Sequence, residues 1–138
     1  MLFRSLAPPT TTTTDPQLSV AAEADIPSQL WQTRRSSSNP GLFSFCTLAQ
    51  GTGLCLDVYG NDETRPYFAA AGNYYGQQWT IIDGHDGTWS LANNYSGPDM
   101  LGVVPDGSGK LCLGPKQEES KTQRWMFGKV RPVTEAGF

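Results

Sequence analysis

One short motif, a glutamine and a tryptophan separated by a single residue, occurs three times in this chain at nearly even spacing. The copies are Gln29-Leu30-Trp31, Gln77-Gln78-Trp79 and Gln123-Arg124-Trp125, so their glutamines are 48 and 46 residues apart. Three units of that length use almost all of the 138 residues. A period of this kind indicates a core assembled from copies of one supersecondary unit, because each copy alone cannot bury its apolar face. The motif therefore predicts a fold with three repeats.

The copies also agree outside the motif. Residues 66–79 align with residues 18–31 without a gap, and residues 110–125 align with them after a one-residue shift. The segments that open the second and third units correspond as well, since Phe43 lies 46 residues before Trp89. In the first unit we expect the equivalent opening segment, Leu2 to Ala7, to be shortened.

The composition favours short strands over helices. The chain contains 15 glycines and 10 prolines, no segment shows a 3.6-residue apolar period, and apolar and polar residues alternate at 42–48, 79–82 and 88–91. With 38% hydrophobic and 11% aromatic residues, a chain of this length can bury one core. We therefore predict a single all-β domain over residues 1–130 and a flexible tail over residues 131–138. The three units are expected at approximately 1–35, 42–82 and 88–128.

Charge and cysteine content argue against several classes of partner. The net charge is −3, the isoelectric point is about 5.0, and the basic residues are dispersed, so nucleic-acid binding is not expected. No apolar run is long enough to span a membrane. No signal peptide is evident and three cysteines make an odd number, which predicts a cytoplasmic protein, with non-classical secretion as an alternative. Residues Thr10 to Thr14 are expected to form a solvated loop.

The repeat and the residues that open its middle unit resemble a known protein family. Three Gln-x-Trp units, with Leu54-Cys55-Leu56-Asp57-Val58 near the start of the middle one, resemble the ricin-B type (R-type) lectin family. The similarity is strong over residues 42–127 and weaker over residues 1–35. It implies a β-trefoil, in which three four-stranded units build a six-stranded barrel capped by three hairpins around a pseudo-threefold axis. It also implies carbohydrate binding in shallow pockets, at most one per unit, without a cofactor or metal.

The glutamine and the tryptophan of the motif are expected to have different physical roles. We predict that Trp31, Trp79 and Trp125 lie in the core about the pseudo-axis, where each buried indole contributes about 2–3 kcal/mol. The motif glutamines have two readings: they satisfy backbone groups of the adjoining turn, or they also reach a ligand. For Gln77 both readings stay open.

Carbohydrate recognition needs another set of side chains. A hexose offers vicinal hydroxyls that pair with a carboxylate and an amide, and an apolar face that packs on an aromatic ring. By resemblance, the carboxylate following the Cys-Leu pair is Asp57, the aromatic residue is Tyr67 and the amide is Asn73, with Gln77 in support. Asn73 departs from the family pattern because it stands four residues before Gln77 instead of next to it. The rim is expected to include Tyr59, Asn61, Asp62 and Tyr74.

The other two units lack this set. The position of Tyr67 corresponds to Ser19 in the first unit and to Leu113 or Cys112 in the third, and the position of Asp57 corresponds to Gly102. We therefore predict mainly one sugar pocket, in the middle unit. Such a shallow site binds a monosaccharide only with about millimolar affinity, so useful binding would need an extended glycan, a protein partner or a homo-oligomer.

Other interpretations remain beside the lectin hypothesis. Asp57 could act only as a turn cap after a strand, and Tyr67 could be an exposed strand tyrosine. The one histidine, His85, lies between Asp83 and Asp86 in an expected hairpin loop, without catalytic or metal-binding spacing, so we do not predict an enzyme. The alternatives are a degenerate trefoil acting through protein–protein interaction or inhibition, and a small-molecule-binding or enzymatic trefoil.

Overall fold

The computed structural model describes residues 2–3, 6–7, 18–20, 27–118 and 120–128. The expected Thr10–Thr14 loop and the tail at 131–138 lie outside these ranges. No helix among the described residues is long and apolar enough to cross a membrane. The strands are β1 Leu2–Phe3, β2 Leu6–Ala7, β3 Ser19–Val20, β4 Trp31–Arg35, β5 Phe43–Thr47, β6 Leu54–Tyr59, β7 Asp62–Ala70, β8 Trp79–Asp83, β9 Trp89–Asn93, β10 Met100–Val103, β11 Leu111–Gly114 and β12 Phe127–Gly128.

The strands pair as the family resemblance implies. β1 pairs with β12, β4 with β5 and β8 with β9, while β2–β3, β6–β7 and β10–β11 form antiparallel hairpins. Bridges between Phe43 and Trp79 and between Trp89 and Trp125 connect neighbouring pairs. Four strands therefore fall in each third of the chain, and the arrangement is a β-trefoil. The shortened opening segment at residues 2–7 contains two strands of two residues each.

The three motif tryptophans lie in one hydrophobic core, as the sequence predicts. The indole N–H of Trp79 donates to the carbonyl oxygen of Leu56 at 3.1 Å, and that of Trp125 donates to the carbonyl oxygen of Leu101 at 3.0 Å. These two acceptors occupy equivalent strands of the second and third units. Trp79 and Trp125 thus connect the hairpins of their own units to the barrel, while their rings fill the core.

Each motif glutamine closes a short 3₁₀ helix. The three helices are Pro27–Gln29, Tyr75–Gln77 and Lys121–Gln123, and all three glutamines are buried. The side-chain amides of Gln77 and Gln123 hydrogen-bond to backbone groups of the segment that precedes the helix, and they tie that segment to the turn. This repeated turn brings the residues that precede the glutamine against the β6–β7 hairpin in the middle unit.

Candidate functional site

The β6–β7 hairpin holds a buried carboxylate. Asp57 lies directly opposite Tyr67 in the strand register, and only 7% of its surface is exposed. Its Oδ1 accepts a hydrogen bond from the Val58 backbone N–H at 2.7 Å, and its Oδ2 accepts one from Gln77 Nε2 at 3.1 Å. A carboxylate has about four acceptor positions. Two therefore remain for a ligand.

The environment of Asp57 disfavours its charge. Burial raises the pKa of Asp57 above its ordinary value of 3.8, and the hydrogen bonds from Val58 and Gln77 only partly oppose this shift. Burial, followed by the negative charge of Asp57, also raises the pKa of Tyr67. At neutral pH the phenol of Tyr67 is therefore protonated, and the carboxyl group of Asp57 is a poorly hydrated hydrogen-bonding group.

A glycine makes room for this carboxylate. A Cβ added at Gly76 would come within 2.0 Å of Asp57 Oδ1. The third unit shows the reverse arrangement, with Gly102 at the position of Asp57 and Thr122 at the position of Gly76. A Cβ at Gly102 would lie 3.0 Å from the carbonyl oxygen of Thr122. In the middle unit, the side chain of Asp57 fills the space between the strand and the 3₁₀ helix. In the third unit, the 3₁₀ helix itself lies against Gly102.

A cleft opens above Asp57. Its volume is approximately 420 Å³, and three exposed tyrosines form its walls: Tyr74, Tyr75 and Tyr95 are 61%, 66% and 44% exposed. We call it the tyrosine cleft. Its lining includes Asp57, Asn73, Tyr74, Tyr75, Gly76 and Tyr95.

Two tyrosines in this cleft were not predicted from the sequence. Tyr75 follows Tyr74 directly, but Tyr95 comes from the third unit, so aligning the units one against another does not find it. Its loop is held by the buried side chain of Asn93, which accepts the Tyr95 N–H at 2.9 Å and donates to the Gly76 carbonyl at 2.9 Å. The site is therefore shared between two neighbouring units.

The other predicted residues lie beside the cleft. The rings of Tyr59 and Tyr67 stack with centroids 4.0 Å apart, and the guanidinium of Arg65 lies 4.9 Å from the centroid of Tyr59. This stack forms an aromatic wall on the β6–β7 hairpin, outside the lining of the tyrosine cleft. Asn61 is exposed at the tip of the same hairpin. Asp62 bonds to Thr64 through that residue's backbone N–H and hydroxyl, so Asp62 stabilises the turn.

Asn73 connects the tyrosine cleft to a second cleft. Its Oδ1 accepts hydrogen bonds from Gln78 Nε2 at 3.1 Å and from Ser38 Oγ at 3.4 Å. The second cleft has a volume of approximately 480 Å³ and also contains Asn73 and Gln77 in its lining. We call it the arginine cleft. Its lining includes Arg34, Arg35, Ser36, Ser44, Cys55 and Asn73.

Comparison with known proteins identifies the family. The ricin-type beta-trefoil lectin domain-like family matches residues 27–111 of this chain. The chain belongs to this family. No curated protein matches the chain.

Solved structures support the fold of this ricin-type domain. The designed threefold symmetric protein ThreeFoil superposes with a TM-score of 0.73 at 17% identity, covering 87% of this chain and 86% of ThreeFoil. The Polyporus squamosus lectin, bound to a human-type influenza-binding epitope, gives 0.74 at 16% identity, covering 91% of this chain and 46% of that lectin. SeviL, bound to asialo-GM1 saccharide, gives 0.66 at 13% identity, covering 95% and 99%. At these identities the likeness establishes the shared fold.

Two motif glutamines of the ricin-type domain make equivalent backbone contacts. Gln77 Nε2 donates to the Ala70 carbonyl at 2.7 Å while its Oε1 accepts the Gly72 N–H at 3.0 Å. Gln123 Nε2 donates to the Pro115 carbonyl at 2.9 Å, and its Oε1 accepts the Gln117 N–H at 2.9 Å. Gln77 alone adds the hydrogen bond to Asp57. Both glutamines therefore satisfy backbone groups beside the turn. Gln77 in addition positions the Asp57 carboxylate.

This difference predicts separable effects of two matched substitutions. Gln77→Ala and Gln123→Ala should each lower the free energy of unfolding by about 1–3 kcal/mol, because each leaves buried backbone groups unpaired. Chemical denaturation measures this loss. Only Gln77→Ala should also weaken binding at the tyrosine cleft, since Asp57 then loses its partner. Equal loss of binding in both variants would show that the Asp57 contact has no separate role.

The arginine cleft contains one of a pair of cysteines. The interaction between the thiols of Cys46 and Cys55 lowers the pKa of Cys55 to about 7 and raises that of Cys46. The Cys46 thiol also lies 4.0 Å from the Gln32 carbonyl oxygen. All three cysteines are free thiols. Both members of the pair are buried in the fold.

His85 lies in the expected hairpin loop between β8 and β9. Its φ is 61°, its backbone N–H donates to Asp83 Oδ1 at 2.8 Å, and its Nδ1 lies 3.6 Å from Asp83 Oδ2. The side chain is exposed and stabilises the turn. Within the described ranges, no three His, Cys, Asp or Glu side chains are grouped so that they could hold a metal ion.

Proposed function

We propose that this domain binds carbohydrate, mainly through one shallow pocket in its middle unit. Asp57 accepts hydrogen bonds from two sugar hydroxyls, and Gln77 holds the carboxylate in place. The apolar face of the sugar packs against the tyrosines that wall the cleft, and Asn73 donates through its amide nitrogen. In the tyrosine cleft, the proposed ligand contacts are Asp57, Asn73, Tyr74, Tyr75 and Tyr95, and Gln77 positions Asp57. On the adjoining β6–β7 hairpin, the proposed contacts are Tyr59, Asn61 and Tyr67, which an extended glycan would reach.

The burial of the Asp57 carboxyl group beside the tyrosine cleft is the observation that carries this proposal. The third unit builds the same hairpin and the same glutamine contacts with Gly102 in this position. The fold therefore does not need a carboxylate there. A buried carboxylate with a raised pKa costs folding free energy when it is ionised. Ligand binding explains why the middle unit retains it, whereas a turn-capping role alone does not.

A lectin with one such pocket should bind a single sugar weakly. Shallow sites of this kind reach about millimolar dissociation constants, or roughly −4 kcal/mol. We propose that an extended glycan, or association of the domain with itself or with another protein, raises this affinity. We further propose that residues 1–130 form one trefoil domain, so that the three units share a single core.

A glycan-array screen of labelled wild-type protein beside Asp57→Ala tests the proposal. We expect wild-type binding to at least one class of glycan and loss of that signal in the variant. Thermal unfolding of both proteins provides the control for folding. Silence of the folded wild-type protein across the array, or binding that survives both Asp57→Ala and Tyr67→Ala, would overturn the proposal.

A protein partner is the second candidate, and the exposed tyrosines favour it. Tyr74, Tyr75 and Tyr95 are adjacent and exposed, and tyrosine is enriched among the residues that contribute most to protein interfaces. The buried carboxylate between them favours the carbohydrate. A folded protein that is silent on the array directs the search to protein ligands that contact these three residues.

A further inference from the structure

Two basic residues line the arginine cleft. Arg34 and Arg35 end strand β4 and line the cleft. Among the described residues, neither Arg34 nor Arg35 forms an ion pair with a carboxylate. The lining of the cleft contains no acidic residue. In a chain with a net charge of −3, this is a local positive field.

The basic and polar residues that line the arginine cleft suit an oxyanion. Arg35 is held over the ring of Phe43, with 5.5 Å between its Cζ and the ring centroid. The hydroxyls of Ser36 and Ser44 belong to the same lining. A planar guanidinium presents paired N–H donors that match two oxygens of a carboxylate or a sulfate. The chemistry of the cleft therefore favours a group with at least two anionic oxygens.

The two clefts adjoin each other. Asn73 belongs to the lining of both, and both of its hydrogen bonds within the described ranges use Oδ1, which leaves its amide N–H groups for a ligand. Gln77 lines the arginine cleft and bonds to Asp57 in the tyrosine cleft. One ligand can therefore extend across Asn73 from one cleft to the other.

We propose that the arginine cleft binds an anionic substituent, a sulfate ester or a carboxylate, of the same glycan whose sugar ring occupies the tyrosine cleft. The inference rests on the proposed carbohydrate-binding function and names the ligand class as anionic oligosaccharides. Arg34 and Arg35 supply the charge. Asp57 cannot serve this substituent, because it is itself negative.

An array that carries each core oligosaccharide as a neutral, a sulfated and a carboxylated form tests this inference. We expect an anionic form to exceed its neutral parent by about three- to tenfold in affinity, the range for two partly exposed, charge-assisted contacts. Arg34→Gln and Arg35→Gln should each reduce this preference and leave the neutral parent unaffected. Arg124→Gln is the matched control, because Arg124 pairs with Asp86 on another loop. Rising salt concentration should also reduce the preference.

The outcomes separate the two proposals. A preference for the sulfated or for the carboxylated form alone supports the inference and identifies the anion. Equal binding of neutral and anionic forms, abolished by Asp57→Ala, would leave the proposed function intact and overturn the anionic subsite. A preference that persists in both arginine variants would also overturn the assignment to this cleft. Absence of binding to every form would overturn both proposals.

Discussion

Replacing Gly76 with threonine is expected to destabilise the domain by about 3 kcal/mol or more, the upper end of the cost of over-packing a tight site. The reason is spatial, since Gly76 is not among the positive-φ glycines. Its added Cβ would lie 2.0 Å from Asp57 Oδ1 and 3.3 Å from Val58 Cγ2. Either the buried carboxylate or the 3₁₀ turn must move. Chemical denaturation measures the loss.

A double variant tests whether this loss comes from the carboxylate. Asp57→Gly with Gly76→Thr recreates in the middle unit the Gly102 and Thr122 pair of the third, so it should recover about 1–2 kcal/mol of the expected loss. Gly114→Thr is the matched control, because no atom lies within 4 Å of its added Cβ, and it should be nearly neutral. Strictly additive effects of the two substitutions would contradict the account of this site.

The substitution Asp57→Asn is expected to weaken glycan binding at least about tenfold while the domain remains folded. Hydrogen bonds to a charged acceptor contribute roughly 1.5–3 kcal/mol, against about 0.5–1.5 kcal/mol for neutral pairs. Asparagine also replaces one carboxylate oxygen with an NH₂ group, so one of the two donors, Val58 N–H or Gln77 Nε2, loses the oxygen that it contacts in the wild-type protein. Because asparagine is uncharged, the variant also avoids the free-energy cost of burying a charge, and this gain offsets part of the stability lost with that hydrogen bond. Isothermal titration gives the affinity, and thermal melting gives the stability.

The pH dependence of binding follows from the raised pKa of Asp57. Because the folded protein favours the protonated carboxyl, this group contributes stability at low pH that is lost as the pH rises from 3.8 through the folded-state pKa. Binding has the opposite dependence, since the glycan needs the ionised form. Affinity should therefore fall on acidification at a pH above 3.8, and the residual binding of Asp57→Asn should lack this transition. A transition of equal size in the variant would assign it to another group.

The repeat allowed a core of three units to be predicted, because Trp31, Trp79 and Trp125 stand in equivalent positions of the sequence. The β-trefoil and its four strands per unit were implied by the resemblance to the ricin-B type family. The 3₁₀ helices that end at each motif glutamine were not predicted, because a single helical turn is too short to show a period.

The candidate site could be predicted only where it follows the repeat. Asp57 and Asn73 lie on the middle unit and were predicted from the family resemblance, and both line the tyrosine cleft. Tyr95 was missed because it reaches the cleft from the third unit through the contacts of Asn93. Tyr67 was expected as the sugar platform, yet the structure places it in a stack with Tyr59 beside the cleft. Side-chain stacking depends on rotamers and neighbours, which motif spacing does not encode.

Chemical-shift mapping of the ¹⁵N-labelled domain, titrated with the glycan that binds best on the array, tests directly whether the carbohydrate site lies in the middle unit. We expect saturable shifts at the backbone amides of Asp57, Gly76 and Tyr95, with the amides of Gly102 and Thr122 unaffected. Shifts centred on Gly102 and Thr122, or shifts spread evenly over the three units, would contradict a carbohydrate site in the middle unit.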